Sequence, residues 1–222
     1  MQIQPQSFSN QFYNPKFGAL KVATAKNFFN GVESKIDIYK LTKKDEHFLD
    51  LLEENTNYKK LAPNMREDMQ NRWQKIFHYC VEEVKDGFNQ SYVALSGNRP
   101  CGIVTYYADS TSSYLDGVCK IPTPDKKVYL AGQSLILKFF KSALEENSKT
   151  VKLDAVKDGP IDVISLYEKL GFKKVFNNTT DNYQPMEMNK FKLKEQVKKL
   201  EDLITYKEEK HPQEVNLCEF IA

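Results

Sequence analysis

Two places in the sequence carry residue types suited to chemistry on an anion or an amine. The first is the run Lys126, Lys127, Val128, Tyr129, Leu130, Ala131, Gly132, Gln133, Ser134, where a helical pattern begins. A helix N-terminus offers unpaired N–H donors and the positive end of a dipole to an anion. The two lysines add charge, and Gln133 and Ser134 add donors in the first turn. The plain alternative is an ordinary helix start with a solvent-facing lysine pair. The second place is Asp116, the only carboxylate inside a strand expected over residues 114–121. Buried beside apolar neighbours, its pKa would rise and suit it to act as a base; otherwise it faces solvent.

Other reactive types are poorly placed. Cys119 shares that strand, but no histidine or charged partner stands at a readable spacing, so it reads as a small core thiol. The four cysteines, Cys80, Cys101, Cys119 and Cys218, form no CxxC pair, which favours reduced thiols and a cytoplasmic setting. None of the three histidines, His47, His78 and His211, lies near another histidine or a cysteine, so no metal is expected. Thirty-two Lys and Arg against thirty Asp and Glu leave a formal charge of +2, and the lysines are interleaved with glutamates. That argues against nucleic acid as a partner. The longest apolar run is far short of the ~20 residues a membrane span needs, so no membrane role is expected. A composition 41% hydrophobic and 28% charged is that of a globular chain.

The elements that must position these residues follow from periodicity. Residues 1–33 mix Gln, Asn and Ser with isolated aromatics and show no regular period, so an N-terminal arm is expected, partly disordered or docked. Alternation through Ile36, Ile38 and Leu41 predicts a strand, and Phe48, Leu49 and Leu52 a helix. Trp73, Ile76, Phe77, Cys80, Val81 and Val84 make one apolar stripe on a helix ending at Gly87. Strands are expected at 91–95, 101–107 and 114–121, a helix at 131–147, a strand at 151–155, a helix at 161–170 stopped by Gly171, and a closing hairpin at 172–176 and 184–188. A helix joining the strands at 114–121 and 151–155 makes a crossover, so those two should be parallel neighbours in a mixed sheet. Beyond 190, Leu193, Val197, Leu200 and Ile204 form a short heptad seam that predicts a possible homodimer through this helix, followed by a loose tail. The fold class is α/β (α+β), and the domains are the arm at 1–33, one domain at 34–190, and a C-terminal amphipathic helix and tail at 191–222.

The segment Leu166, Tyr167, Gly171, Phe172 within LYEKLGFKKV resembles the Leu-Tyr-x-x-x-Gly-Phe signature of the GCN5-related N-acetyltransferase (GNAT) superfamily, and the resemblance extends over residues 34–189. It implies a mixed, mostly antiparallel central sheet with helices on both faces. The family's Gln/Arg-x-x-Gly-x-Gly/Ala loop, whose amides hold the diphosphate of acetyl-CoA, has its best counterpart in Lys127, Leu130, Ala131 and Gly132. Here Lys127 replaces Gln/Arg and Leu130 replaces the first glycine. Gly132 fits the last small position. A family asparagine six or seven residues before the tyrosine is replaced by Pro160 or Ile161.

The resemblance implies an N-acetyltransferase that moves acetyl from acetyl-CoA, its co-substrate, to a primary amine by direct attack. Tyr167 would protonate the departing thiolate, because a tyrosine stays protonated at neutral pH. Asp116 would be the candidate base. Lys127, Leu130, Ala131, Gly132, Gln133 and Ser134 would cradle the cofactor, and a bulged fourth strand would offer the backbone of Cys119 and Ile121 to its arm. The acceptor would be an amine-bearing small molecule or protein. The two departures in the loop favour the alternative, a non-catalytic interaction module that has lost or weakened cofactor binding.

Overall fold

The computed structural model describes residues 18–29, 31–123, 128–157, 161–175 and 182–221. Ten strands form one sheet, the central ones buried on both faces: β1 (Ala19–Phe29), β2 (Val32–Leu41), β3 (Gln90–Ser96), β4 (Arg99–Ala108), β5 (Ser112–Lys120), β6 (Thr150–Val156), β7 (Lys173–Lys174), β8 (Tyr183–Asn189), β9 (Thr205–Glu208) and β10 (Glu214–Val215). Their order is β10-β1-β2-β3-β4-β5-β6-β8-β7, with β9 also on β1. Among the described residues the only parallel pairing in that sheet is β5 with β6. This is the neighbour relation that the crossover predicts, and the helix making it is α4 (Ala131–Glu145).

Helices cover both faces. On one, α1 (Glu46–Asn55), α2 (Tyr58–Leu61) and α3 (Glu67–Asp86) bury Phe48, Leu49, Leu52, Tyr58, Phe77, Val81 and Val84 against Val93, Leu95 and Ile103. On the other, α4 and α6 (Lys190–Leu203) bury Leu135, Phe139, Phe140, Val197 and Leu200 against Tyr106, Leu153 and Met186. Tyr92 stacks on Tyr106 at 5.5 Å, and Tyr106 tilts against Phe139 at 5.0 Å. The short helix α5 (Val163–Lys169) packs on β6 and β7. Gly87 ends α3 in the left-handed region at φ 68°, where a side chain would also strike Lys43. Among the described residues no helix is long and apolar enough to cross a membrane.

Three expectations need correcting. Residues 1–17 lie outside the described residues, but 19–29 of the expected arm are β1, paired with β2 in a near-continuous register. Its inward positions, Ala23, Ala25 and Asn27, are buried, yet they are small or polar, so the alternation carries no hydrophobic signal. The seam Leu193, Val197, Leu200, Ile204 is buried inside the chain against α4, which removes it as a dimer surface. The tail is not loose: β9 and β10 pair with β1, and Leu217 is buried.

Candidate active site

The sheet opens at one point. β5 and β6 pair in parallel from Ser112↔Thr150 to Leu115↔Leu153 and then part. The cause is a bulge: Tyr106 faces Leu115 and Thr105 faces Gly117, so Asp116 is the extra residue. Past it β5 stays on β4 while β6 stays on β8, leaving a wedge between their C-terminal ends.

Tyr167 stands against this wedge. The side chain of Asp162 caps α5 by accepting from Ser165 N at 3.0 Å, and the Tyr167 ring meets Phe172 edge-on at 5.8 Å. The Cys80 thiol, which lies behind the bulge where a Cβ on Gly117 would be 2.8 Å from its Sγ, is within electrostatic reach of the Tyr167 hydroxyl. Burial first, and then Cys80, hold the Tyr167 pKa above its ordinary value. Among the described residues the hydroxyl has no hydrogen-bond partner. It is a protonated group left free to donate.

The start of α4 forms the second part. α2, α5 and α6 begin with side-chain caps from Asn57, Asp162 and Asn189, whereas α4, like α1 and α3, has none. Leu130 takes the N-cap position at φ 59°, the left-handed conformation ordinarily left to glycine. The backbone therefore keeps the glycine geometry although the residue is leucine. Ser134 spends both its N–H and its Oγ on the Leu130 carbonyl, each at 2.9 Å, so its hydroxyl is not a ligand donor. The amides of Ala131, Gly132 and Gln133 precede the first intrahelical bond and remain open. A Cβ on Gly132 would meet nothing within 4 Å, so the flank of this turn has room for an anion. Asn27 Nδ2 braces the approach by donating to Tyr129 O at 3.2 Å. Lys127 lies outside the described residues.

The backbone register at the wedge differs from the expected one. Ile121 N donates to Cys101 O at 3.1 Å, and Cys119, opposite Ile103, turns the same way because antiparallel pairs alternate. The groups facing away from β4 thus belong to Val118 and Lys120. Lys120 O accepts from the buried Tyr58 hydroxyl, which also lies 3.1 Å from Cys119 Sγ. Burial and Tyr58 decide the Cys119 thiol: burial raises it, the Tyr58 bond opposes, and the net is about 12, so it stays an un-ionised core thiol. Asp116 turns toward α3 and accepts from Tyr79 Oη at 2.9 Å and Asn89 Nδ2 at 3.1 Å. Glu83 joins this group; burial and then the Asp116 carboxylate raise its pKa.

A cavity of about 450 Å³ adjoins the end of β5, between α2–α3, the approach to α4 and Ile161. Sequence reasoning did not single out Tyr58, Met65, Met69 or Lys120 as individual residues here. Trp73 was legible only as the first residue of the α3 stripe. A second cavity of about 310 Å³, on the other side of Tyr58, is polar; there Glu53 is already bound by His78 Nδ1 and Lys85 Nζ, each at 2.7 Å. Among the described residues no group of three or more His, Cys, Asp or Glu is arranged to hold a metal.

No family model matches the sequence, and neither does any curated protein. Solved structures do match the fold. An uncharacterized protein from Bacillus halodurans superposes at TM-score 0.54 and 13% identity over 82% of this chain and 98% of its own. The apo form of FdhC, a nucleotide-linked sugar GNAT, superposes at TM-score 0.50 and 17% identity over 83% and 97%. The PaiA N-acetyltransferase of Thermoplasma acidophilum, in complex with coenzyme A, gives 0.47 and 19% over 69% and 98%. With its bulged β5, its wedge against β6 and its uncapped α4, this chain has the fold of the GCN5-related N-acetyltransferase superfamily.

Proposed function

We propose that the chain is an N-acetyltransferase that uses acetyl-CoA and passes the acetyl group to a primary amine by direct attack. The observation that carries this reading is the free, protonated Tyr167 hydroxyl beside the wedge. A protonated hydroxyl with no partner among the described residues is useful where a departing thiolate must be protonated.

Acetyl-CoA supplies the activated carbonyl. The residues present fit it: the amides of Ala131, Gly132 and Gln133, with the open flank of Gly132, suit a diphosphate, and the groups of Val118 and Lys120 that face the wedge suit the arm. Tyr167 holds the proton for the sulfur. Asp116, on the bulge and held by hydrogen bonds from Tyr79 and Asn89, is the carboxylate that takes the proton of the amine through solvent.

Calorimetric titration with acetyl-CoA and with CoA tests the reading. Micromolar binding, weakened at least roughly tenfold by Gly132→Asp, which sets a carboxylate in the open cradle, is the expected result. No binding at millimolar ligand refutes it.

A further inference from the structure

The cavity beside β5 has a composition that selects its occupant. Met65, Met69 and Trp73 follow one another at intervals of four along one side of the chain leading into and through α3, and Ile161 faces them. All four are partly exposed, although apolar side chains of this size gain from burial. The single formally charged residue among the described lining residues is Lys120. Among the described residues it makes no ion pair. Its carbonyl is held by Tyr58, which anchors the backbone from which the ammonium extends.

A chamber whose described lining is apolar with one cation, Lys120, opposes a polycation. Each further ammonium would be desolvated without a partner and repelled by Lys120. The same chamber favours a ligand with an apolar body and one anionic group, because a carboxylate paired with the ammonium gains a charge-assisted hydrogen bond. The acceptor must also carry an amine. A cavity of about 450 Å³ is in the range of small-molecule sites.

Resting on the acyl-transfer reading above, we infer that the acceptor is a free amino acid with a large apolar side chain. Its α-carboxylate pairs with Lys120 and its side chain lies against Met65, Met69 and Trp73. Its amine is left toward the wedge. Polyamines and other polycationic amines are excluded by the same residues.

Trp73 is the only tryptophan of the chain, so its emission reports occupancy of this cavity without any turnover. The full chain is titrated with L-phenylalanine, L-phenylalaninamide and spermidine, and CoA release from acetyl-CoA is followed with each. L-Phenylalanine is expected to shift Trp73 emission and to be acetylated, the amide to bind about tenfold more weakly, and spermidine to do neither. Lys120→Gln should bring phenylalanine and its amide to within about twofold of each other, since only the carboxylate partner is lost. Binding of the amide or of spermidine as tight as that of phenylalanine, an unchanged ratio in Lys120→Gln, or no shift of Trp73 emission overturns the inference. Its failure is separable from that of the transferase reading. CoA bound with spermidine as acceptor defeats only the inference, and phenylalanine bound without CoA defeats only the transfer.

Discussion

On one side of β5 the sheet is closed, and on the other it is open. β2 to β5 pair along most of their lengths and β1 is strapped by β9 and β10, whereas β5 holds β6 over only four residue pairs. Two tyrosines beside the end of β5 differ just as plainly. Tyr58 gives its hydroxyl to Lys120 O and touches Cys119 Sγ, while the Tyr167 hydroxyl, beside the wedge, has no partner among the described residues. The hydroxyl that holds a backbone carbonyl is a strut. The one without a partner among the described residues is open to donate.

Exchanging each tyrosine for phenylalanine should separate the two roles. Tyr167→Phe is expected to lower kcat by about 10²-fold or more, with CoA affinity and Tm nearly unchanged; steady-state kinetics beside calorimetry measure this, and a kcat within a factor of two would remove Tyr167 as the acid. Tyr58→Phe should do the reverse. It strands the Lys120 carbonyl and costs about 1–3 kcal/mol, a fall in Tm of several degrees by thermal denaturation for a chain of this size.

Smaller effects sharpen the same contrast through pH. In the closed half, burial raises the Asp37 pKa, but the hydrogen bond from Thr24 and the charge of Lys21 outweigh it and the net lies below the ordinary 3.8. Its ionised form favours the fold, so its contribution is complete above the unfolded value and is lost as pH falls through the lower folded one. In the open half, burial and then Asp116 lift Glu83 above 4.5. Its protonated form favours the fold, so that contribution is complete below the unfolded value and is lost as pH rises through the folded one. Denaturant titrations should find Asp37→Asn less stable than the parent at neutral pH and Glu83→Gln more stable, each by under about 1 kcal/mol. Both differences should shrink in acid. The same sign for both variants at neutral pH would dissolve the distinction.

The smallest expected change is at the cradle. Leu130→Gly relieves a left-handed leucine but loosens the unfolded chain, for a net gain of about 0.5–1 kcal/mol, visible as a slightly higher denaturation midpoint. A loss instead would mean that packing of Leu130 on the core outweighs its backbone strain.

The helices and central strands were legible because their side chains are large and periodic: Phe77, Val81 and Val84 on α3, or Leu135, Phe139 and Phe140 on α4. β1 was hidden because Ala23, Ala25 and Asn27 face inward and carry no apolar period. The seam of α6 was visible, but its partner was not, since Leu193 and Val197 are equally suited to α4 and to a second chain. At the site, the start of α4 follows from residue type and spacing, and Tyr167 from the resemblance of its Leu-Tyr-x-x-x-Gly-Phe segment. Which backbone groups of β5 face the wedge does not, because register depends on the bulge at Asp116 and shifts by one residue with it. The cavity at Trp73 joins segments far apart in sequence, and no local pattern announces it.

The strap of β9 and β10 on β1 bears on how the chain acquires its shape. β1 forms its hairpin with β2 early in chain order, yet its outer edge is covered by residues 205–208 and 214–215. Until those residues arrive, that edge is an uncapped template on which another chain can add a strand. Removing residues 205–221 would leave the wedge and Tyr167 in place, yet it should turn a monodisperse preparation into one that self-associates through β1.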